Sequence, residues 1–370
     1  MAHLNLTPEG ERFLEQWGDS RPYIVAHTSG STGRPKEIHL LKADMSHSAR
    51  LTNKAFGITS QSHLVCPLSA DYIAGKMMIV RAIEAQCRLD MEPPSNEPLR
   101  SDYGGDVDLL PIVPSQIDGL LRSPNVTAIR NVIVGGAPIS ARQEQLLLGQ
   151  KGFECYATYG MTETCSHVAL RRLGESEFVA MPGVLFFVDN RNCLGLKSDG
   201  FSFGSIQTND IVDLISPNRF LWRGRYDNVV ISGGLKFYPE EIESKISATL
   251  GWHDFFITDC ESEKWGRELV LVLTRAFCRP DSIPKTTDDI RVNLHNEHET
   301  SHPTCGENAE VSGVGVEISG IEAEGYDEKL RNYVKRCLRE ILSAKEMPKQ
   351  IVFVNQLPRT GSGKLLRCIP

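Results

Sequence analysis

Short apolar runs alternate with helical stretches between residues 20 and 160. The runs YIVAH, HLVCPL, VDLLPIV and NVIVGGAP lack the polar alternation of a half-exposed strand, which is typical of strands buried on both faces. The segments AGKMMIVRAIEA and ARQEQLLLGQ between them read as helices. Because strands and helices alternate, the pattern predicts α/β layers for this part of the chain.

The pattern changes after residue 180, where short β-like runs are separated by turns up to about residue 226. The remainder mixes helices, such as PEEIESKISATL, with strands, such as ELVLVLT and QIVFVN. We therefore predict an α/β protein. Its large N-terminal domain, 1–227, would contain a β-rich subdomain, and its small, mobile C-terminal α+β domain would span 228–370. The charged N-terminus predicts an amphipathic helix with Leu14 and Trp17 facing inward.

One segment of the C-terminal region, residues 279–325, contains no Phe, Tyr or Trp. It holds ten acidic and three basic residues, and this difference of seven equals the net charge of −7 of the whole chain. We expect a mobile or partly disordered insertion, because such a segment buries little apolar surface. The stretch HETSH inside it, His298–His302, matches a zinc-protease pattern, but Pro303 follows at once and no apolar face supports a helix.

Composition excludes several classes of protein. The 370 residues carry a net charge of −7, which argues against the basic face of a nucleic-acid-binding protein. No run approaches the ~18 apolar residues of a membrane span, and the N-terminus lacks an apolar signal core. The ten cysteines include no CxxC pair. We therefore expect reduced thiols, no zinc site and a cytoplasmic location.

The stretch TSGSTGRPK, residues 28–36, concentrates hydroxyls, glycines and basic side chains directly after an apolar run. It does not fit the P-loop pattern GxxxxGK[ST]. Its chemistry is similar nevertheless, since glycines let backbone N–H groups converge on phosphate oxygens and Lys36 supplies charge. The stretch therefore indicates a phosphate-binding loop, and a flexible surface loop is the alternative.

Three further stretches follow in order: YATYGMTETCS at 156–166, FLWRGRYDNVVISGGLKFYPEEIE at 220–243, and LPRTGSGKLLR at 357–367. Together with the first loop they resemble the adenylate-forming enzymes, a family that includes acyl-CoA synthetases, peptide-synthetase adenylation domains and luciferases. The resemblance extends from residue 23 to residue 367. It implies ATP and CoA as co-substrates and Mg²⁺ as the metal.

The resemblance also assigns roles to individual residues. Thr162 would bond the α-phosphate, Glu163 would hold Mg²⁺, and Lys364 would stabilise the adenylation transition state. The β- and γ-phosphates would be held by Thr28, Ser29, Gly30, Ser31, Thr32, Gly33 and Lys36. The adenosine would be bound by the backbone of Gly135, Gly136 and Ala137, the ring of Tyr159, and the ribose ligands Asp210 and Arg225.

Two further features are implied for the later part of the reaction. Asp227 matches the family's hinge, and Ser232, Gly233 and Gly234 resemble the loop that faces the CoA channel. A carboxylate would attack the α-phosphorus of ATP, after which the small domain would rotate and admit the CoA thiol to the acyl-AMP. One departure is visible: the family's usual TGD reads TND before Ile211.

The identity of the acid is suggested by the length of the chain before the phosphate loop, which starts only 28 residues in. The chain resembles a short form of the family, and RNVIVGGAPIS and ISGGLKFYPEEIE are similar to the o-succinylbenzoate–CoA ligases of menaquinone biosynthesis. Arg81, in an otherwise apolar helix, is a candidate partner for the second carboxylate of that acid. The alternatives for Arg81 are a snorkelling surface side chain and a structural salt bridge. The family's PLFH reads PLSAD here, which is a departure in the acyl pocket.

Other functions remain open at this stage. The chain could adenylate another aryl or fatty acid, load a carrier protein, or bind nucleotide without catalysis; a zinc hydrolase is a distant alternative. Similar enzymes are commonly homodimers, so a homodimer is a further expectation.

Overall fold

A computed structural model describes most of the chain. The described residues are 2–27, 37–100, 105–252, 254–274, 320–359 and 365–369. The chain divides between Val229 and Val230 into two compact units. The phosphate loop predicted at 28–36, Lys364 and the HETSH stretch lie outside the described residues.

The first unit contains fourteen described strands and five described α-helices. The strands are β1 (His3–Asn5), β2 (Tyr23–His27), β3 (Glu37–Leu41), β4 (His63–Cys66), β5 (Arg88–Met91), β6 (Leu110–Ile112), β7 (Asn131–Val134), β8 (Glu154–Gly160), β9 (His167–Arg172), β10 (Phe178–Ala180), β11 (Val184–Val188), β12 (Cys193–Ser198), β13 (Ser205–Ser216) and β14 (Arg219–Arg225). The helices are α1 (Pro8–Gly18), α2 (Lys42–Ala55), α3 (Ile73–Ala85), α4 (Ile117–Arg122) and α5 (Ala141–Gly149).

The strands of the first unit form three sheets. A nine-stranded sheet has the order β11-β12-β13-β14-β10-β9-β8-β7-β6, and a three-stranded parallel sheet has the order β1-β5-β4. Within the large sheet β6, β7 and β8 are parallel, whereas the pairs from β8 to β11 are antiparallel. The parallel strands β6, β7 and β8 and the β-rich part therefore share one sheet, whereas the predicted strand β4 lies in the separate three-stranded sheet. Among the described strands, β2 pairs with β3 alone, in an antiparallel ribbon, and this differs from the layered arrangement that its apolar run predicted.

Helix α3 lies at the centre of the largest apolar core of the first unit. Its residues 75–82 are all buried, and Met77, Met78 and Ile79 pack in one cluster with Phe13 of α1 and Met45 of α2. Full burial of each such side chain stabilises the fold by about 1.5–3 kcal/mol. An apolar helix surrounded by neighbours in this way gives any charged residue on it an unusual environment.

Local signals explain where several helices begin and end. Helix α1 starts with Pro8, and helix α6 of the second unit (Pro239–Leu250) starts with Pro239; the fixed φ of proline suits the first helical position. Helix α5 starts with a capping box, in which Ser140 and Gln143 exchange backbone–side-chain hydrogen bonds of 3.2 and 3.0 Å. Gly251, at φ +67°, ends α6 in the left-handed conformation that glycine adopts without strain.

The second unit contains described strands β15 (Val230–Ser232), β16 (Leu235–Phe237), β17 (Phe255–Ser262), β18 (Gly266–Thr274) and β19 (Gln350–Val354), with helices α6 (Pro239–Leu250) and α7 (Gly320–Arg339). Strands β17, β18 and β19 form one sheet, and β15 and β16 form a hairpin. Strand β18 is buried on both faces: Leu271 packs with Val334 of α7, while Val270 and Val272 pack on the opposite side with Leu365. This double burial explains the continuous apolar run of β18.

The sequence-based boundaries need one correction. Helix α7 begins at Gly320, within the segment 279–325 for which we expected little order. The end of that segment is therefore helical, because it extends the amphipathic helix whose later turns bury Leu330 and Val334. At the other end of the chain, Leu14 and Trp17 of α1 pack against the core as expected, beside the more deeply buried Phe13.

Two further properties of the described residues concern their helices and their cysteines. None of their helices is both long enough and apolar enough to cross a membrane. The eight cysteines among them are all free thiols. Burial raises the pKa of the thiols of Cys66 and Cys155 to about 12, so these two side chains act as apolar core residues.

Candidate active site

The carboxylate of Asp210 is the centre of a hydrogen-bonded cluster in the first unit. Asp210 on β13 faces Arg225 on β14 in the sheet register, and its side chain is largely buried. The Tyr159 hydroxyl donates to Oδ2 at 2.7 Å and the Trp222 indole N–H donates to Oδ1 at 3.3 Å. The guanidinium of Arg225 lies 3.7 Å from Oδ1. Three strands of one sheet therefore fix the predicted ribose ligand.

Tyr159 is held by this carboxylate and by aromatic neighbours. Burial, followed by the charge of Asp210, raises the pKa of the Tyr159 hydroxyl well above its ordinary value, so the hydroxyl stays protonated and remains a donor. Its ring meets Phe178 and Phe220 edge-on, with centroid distances of 5.9 and 5.1 Å. Trp222 was missed from sequence, although the run FLWRGR alternates so as to place it on the same face of β14 as Phe220.

A pair of glycines follows β7 at the predicted adenine position. A Cβ on Gly135 would lie 2.5 Å from the Thr158 Oγ1 atom, and Gly136 has φ +82°. Neither position accepts a side chain without displacement or strain. Ala137, the next residue, is exposed. The backbone at this strand end therefore requires glycine, and its role in adenine binding stays a prediction.

Thr162 and Glu163 lie in a single 3₁₀ turn between β8 and β9. Thr164 anchors the turn from inside, since its hydroxyl oxygen accepts from the Met161 N–H at 3.0 Å and its hydroxyl lies 2.7 Å from the Ser166 carbonyl oxygen. Glu163 is exposed, and no hydrogen bond or ion pair is found for it among the described residues. Its carboxylate is thus available to a ligand.

This arrangement fits the magnesium ion that the family resemblance implies. Mg²⁺ in nucleotide sites typically uses one or two carboxylates together with substrate phosphates and water, rather than a protein cage. Within the described ranges, no group of three or more His, Cys, Asp or Glu residues could hold a metal by itself. Glu163 lies on a turn whose neighbouring residues are fixed, and its carboxylate is the kind of ligand that Mg²⁺ uses in such sites.

Arg81 on α3 is a buried cation with few partners. Its side chain is only 2% exposed, and Nη2 donates to the Ser166 Oγ atom at 2.6 Å while Nη1 faces the Met78 sulfur at 3.3 Å. In the part of the chain that the structure describes, the Nε atom has no hydrogen-bond partner and no carboxylate pairs with Arg81. Burial lowers the pKa of Arg81 to about 10, which still leaves it charged at neutral pH. Arg81 is therefore not a snorkelling surface side chain, and within the described residues it forms no structural salt bridge.

The polar neighbours of Arg81 form a small buried cluster. Ser166 and His167 come directly after the TETC turn, and Thr52 and Asn53 come from α2. The His167 Nε2 atom lies 3.2 Å from the Thr52 hydroxyl, and the Asn53 amide donates to the backbone carbonyl of Arg81 at 2.9 Å. These neighbours were missed from sequence, because the pattern of residues does not reveal a contact such as that between Arg81 and Ser166, which are 85 positions apart in the chain.

The predicted hinge residue, Asp227, lies in a 3₁₀ turn after β14. Arg225 donates to its Oδ2 atom at 2.7 Å, and the Asn209 amide donates to Oδ1 at 3.1 Å. Asn209 is the residue that makes this chain read TND rather than TGD, so the departure supplies a contact to the hinge position. The guanidinium of Arg191 lies 4.9 Å above the ring of Tyr226.

The loop predicted to face the CoA channel forms the tip of the β15–β16 hairpin in the second unit. Gly233 and Gly234 have φ values of +55° and +78°, so this turn requires glycine. The Gly233 N–H donates to the Trp265 carbonyl at 3.1 Å, and a Cβ at Gly233 would lie 2.9 Å from the indole. Ser232 ends β15 beside them.

Comparisons with known proteins identify similar families and enzymes. The family model described as "AMP-binding enzyme" matches residues 8–188. The 2-succinylbenzoate–CoA ligase of Listeria monocytogenes serotype 4b is 25% identical over 388 residues, which cover 97% of this chain and 72% of that protein. The enzyme of the same name from Haemophilus influenzae is 27% identical over 295 residues, which cover 73% of this chain and 63% of that protein.

Two solved structures are also similar. An acyl-CoA synthetase (AMP-forming)/AMP-acid ligase II-like protein from Dyadobacter fermentans is 30% identical, with a TM-score of 0.56, and the match covers 96% of this chain and 91% of that one. The O-succinylbenzoate coenzyme A synthetase of Bacillus subtilis, in complex with ATP and magnesium ion, is 20% identical, with a TM-score of 0.67, covering 93% and 68%. The second match supports the fold alone, and both confirm the predicted α/β class.

Proposed function

We propose that this chain, which belongs to the family of AMP-binding enzymes and is an AMP-forming acid–CoA ligase, activates o-succinylbenzoate. The observation that carries the proposal is the buried charge of Arg81, for which no carboxylate partner is found among the described residues. The names of the relatives from Listeria and Haemophilus support the same acid.

The physical argument starts from the cost of a buried charge. An ion removed from water costs several kcal/mol unless a counter-charge and hydrogen bonds compensate it. Among the described residues, Arg81 has one oxygen partner, Ser166, and its Nε atom has none. o-Succinylbenzoate carries two carboxylates, of which only one reacts with ATP. The other, a spectator carboxylate, would supply the missing charge and accept two parallel hydrogen bonds from the guanidinium.

The adenosine side of the proposal is carried by Asp210. An ionised carboxylate has about four lone-pair sites, and Tyr159 and Trp222 donate to two of them. The remaining sites would accept from the ribose hydroxyls, and Arg225 would contact the same sugar. The backbone beyond Gly135 would lie along adenine.

The reaction then requires charge stabilisation at the phosphates. The acid attacks the α-phosphorus and pyrophosphate leaves, so negative charge moves onto the leaving group. Thr162 would donate to the α-phosphate, the loop at 28–36 would hold the other two phosphates, and Lys364 would stabilise the transition state. Mg²⁺, held by Glu163, would supply further positive charge.

In the second step the CoA thiol attacks the acyl carbon and AMP leaves. We place the hinge for the change between these steps at Asp227 and the CoA channel at Ser232–Gly234.

The test compares o-succinylbenzoate with two analogues that each keep one carboxylate: benzoylpropanoate, which lacks the ring carboxylate, and butanoylbenzoate, which lacks the chain carboxylate. The purified protein is incubated with ATP, Mg²⁺ and CoA, and the thioester is measured by mass spectrometry. We expect a thioester with o-succinylbenzoate and, at a higher KM, with only one analogue, since one carboxylate reacts and the other binds.

The variant Arg81→Met keeps the volume of the side chain and removes its charge. We expect a KM for o-succinylbenzoate raised roughly 10- to 100-fold, as for loss of a hydrogen bond to a charged group, with the KM for ATP unchanged. Arg81→Lys, which keeps the charge but lacks the planar guanidinium, is the control. Its KM for o-succinylbenzoate should lie between those of the parent protein and Arg81→Met. An unchanged KM in Arg81→Met, or a thioester only with other acids or a carrier protein, would overturn the choice of substrate.

A further inference from the structure

We propose that His167 is a positioning residue for the acid: through Ser166 it fixes the direction in which the Arg81 guanidinium faces the substrate. The inference rests on the proposed function, because it concerns the same spectator carboxylate. His167 would not touch the substrate. It would act at the end of a buried chain of hydrogen bonds that runs from α2 through β9 to α3.

The first step is the tautomer of the imidazole. The Thr52 hydroxyl donates to the Ser48 carbonyl on the preceding turn of α2 at 3.1 Å. A hydroxyl has one hydrogen, so toward the His167 Nε2 atom, 3.2 Å away, Thr52 can only accept. His167 Nε2 therefore carries the proton, and in the neutral ring Nδ1 is an acceptor.

The second step is the direction of the Ser166 hydroxyl. The His167 Nδ1 atom lies 3.5 Å from Ser166 Oγ, a long contact in which Ser166 must be the donor. With its hydrogen directed at the ring, Ser166 Oγ presents lone pairs elsewhere, and one of them accepts from Arg81 Nη2 at 2.6 Å. His167 thus keeps Ser166 in its role as acceptor.

The third step is the importance of that contact for Arg81. Within the described residues, Ser166 Oγ is the one oxygen that any nitrogen of this guanidinium contacts. The orientation of Arg81 therefore depends on Ser166, and that of Ser166 on His167. Burial, followed by the charge of Arg81, lowers the pKa of His167 to about 3, so the ring is neutral and adds no second positive charge beside Arg81.

Two variants of His167 separate the two ends of the ring. His167→Asn places an amide near Nδ1, where its oxygen still accepts from Ser166, and loses the contact with Thr52. His167→Gln places an amide near Nε2, keeps the contact with Thr52 and removes the acceptor that faces Ser166. Each variant loses one buried contact, so we expect similar losses of stability in urea unfolding, and the pair is matched.

We expect His167→Gln to raise the KM for o-succinylbenzoate about 5- to 10-fold, as for loss of one hydrogen bond, while His167→Asn stays within about 3-fold of the parent protein. The KM for ATP should be unchanged in both. With the analogue that lacks the spectator carboxylate, the two variants should behave alike. Ser166→Ala removes the acceptor itself and should resemble His167→Gln, which keeps the test decisive if either His167 variant fails to fold.

Equal KM values for o-succinylbenzoate in His167→Asn and His167→Gln, with Ser166→Ala at the parent value, would overturn the inference. A parallel rise in the KM for ATP would mean a merely structural role and would overturn it too. The proposed function fails separately, if Arg81→Met leaves the KM for o-succinylbenzoate unchanged. If Arg81→Met raises it while the His167 pair shows no difference and Ser166→Ala stays at the parent value, only the inference about His167 fails.

Discussion

At the scale of single residues, the hydroxyl of Tyr159 has a role that can be separated from that of its ring. Tyr159→Phe keeps the edge contacts with Phe178 and Phe220 and removes the donor to Asp210. Trp222 then becomes the closest remaining donor. Because Asp210 is the proposed ribose ligand, we expect a KM for ATP raised about 3- to 10-fold, equivalent to roughly 1 kcal/mol for one hydrogen bond.

The measurement is the KM for ATP in pyrophosphate release, with the KM for o-succinylbenzoate as the control that should not change. A loss of stability in urea without any change in the KM for ATP would contradict a role of this hydroxyl in nucleotide binding.

Sequence reasoning reached some residues of the site and missed others for a physical reason. Arg81 could be singled out because a charge inside an apolar helix is visible in one short window. Ser166 and His167 could not be connected with it, since their contacts join residues far apart in the chain. Trp222 was missed for the same reason: the register of β13 against β14 brings it to Asp210, and a single strand does not reveal its partner.

At the scale of elements, helix α6 forms two ion pairs, of which one is buried and the other is open to solvent. Glu243 receives Arg367 Nη2 at 2.7 Å and the Ile257 N–H at 2.6 Å, and burial raises the pKa of this glutamate. Lys245, on the same helix, pairs with Glu346 and is half exposed. The first pair connects the helix to the end of the chain and to β17, whereas the second is open to solvent.

We expect Arg367→Met to lower the free energy of unfolding of the second unit by about 3–5 kcal/mol, because it leaves the Glu243 carboxylate buried without its partner. Lys245→Met is the matched control and should cost about 1 kcal/mol or less. Urea unfolding of both variants measures the difference. Equal losses in the two variants would show that the Glu243 pair is no more costly to break than an exposed one.

Elements were predicted better than their pairing. The apolar runs located β4, β6 and β7 because burial on both faces leaves a continuous apolar segment. The antiparallel ribbon of β2 and β3 was not expected, since the apolar character of a strand does not reveal the direction of its partner. The start of α7 at Gly320 was missed because its first turns contain acidic residues without an apolar stripe.

At the scale of the whole molecule, acid stability reports on the buried histidine. The folded chain holds His167 with a pKa of about 3, below the ~6.5 expected for a solvated histidine in the unfolded chain. Between these values the unfolded chain binds a proton that the folded chain does not. The free energy of unfolding therefore falls as the pH falls from about 6.5, by about 1.4 kcal/mol for each pH unit.

Other groups also titrate on acidification, and a non-titrating variant removes them from the comparison. The lowered pKa of Glu144 acts in the same direction at lower pH, and the raised pKa of Glu243 acts against it. Urea unfolding of the parent protein and of His167→Asn at pH 7, 6 and 5 cancels these shared contributions. We expect the advantage of the parent over the variant to shrink steadily between pH 6.5 and pH 5. A constant difference would mean that His167 is not held neutral, and Arg81 would then share its pocket with a second cation at acidic pH.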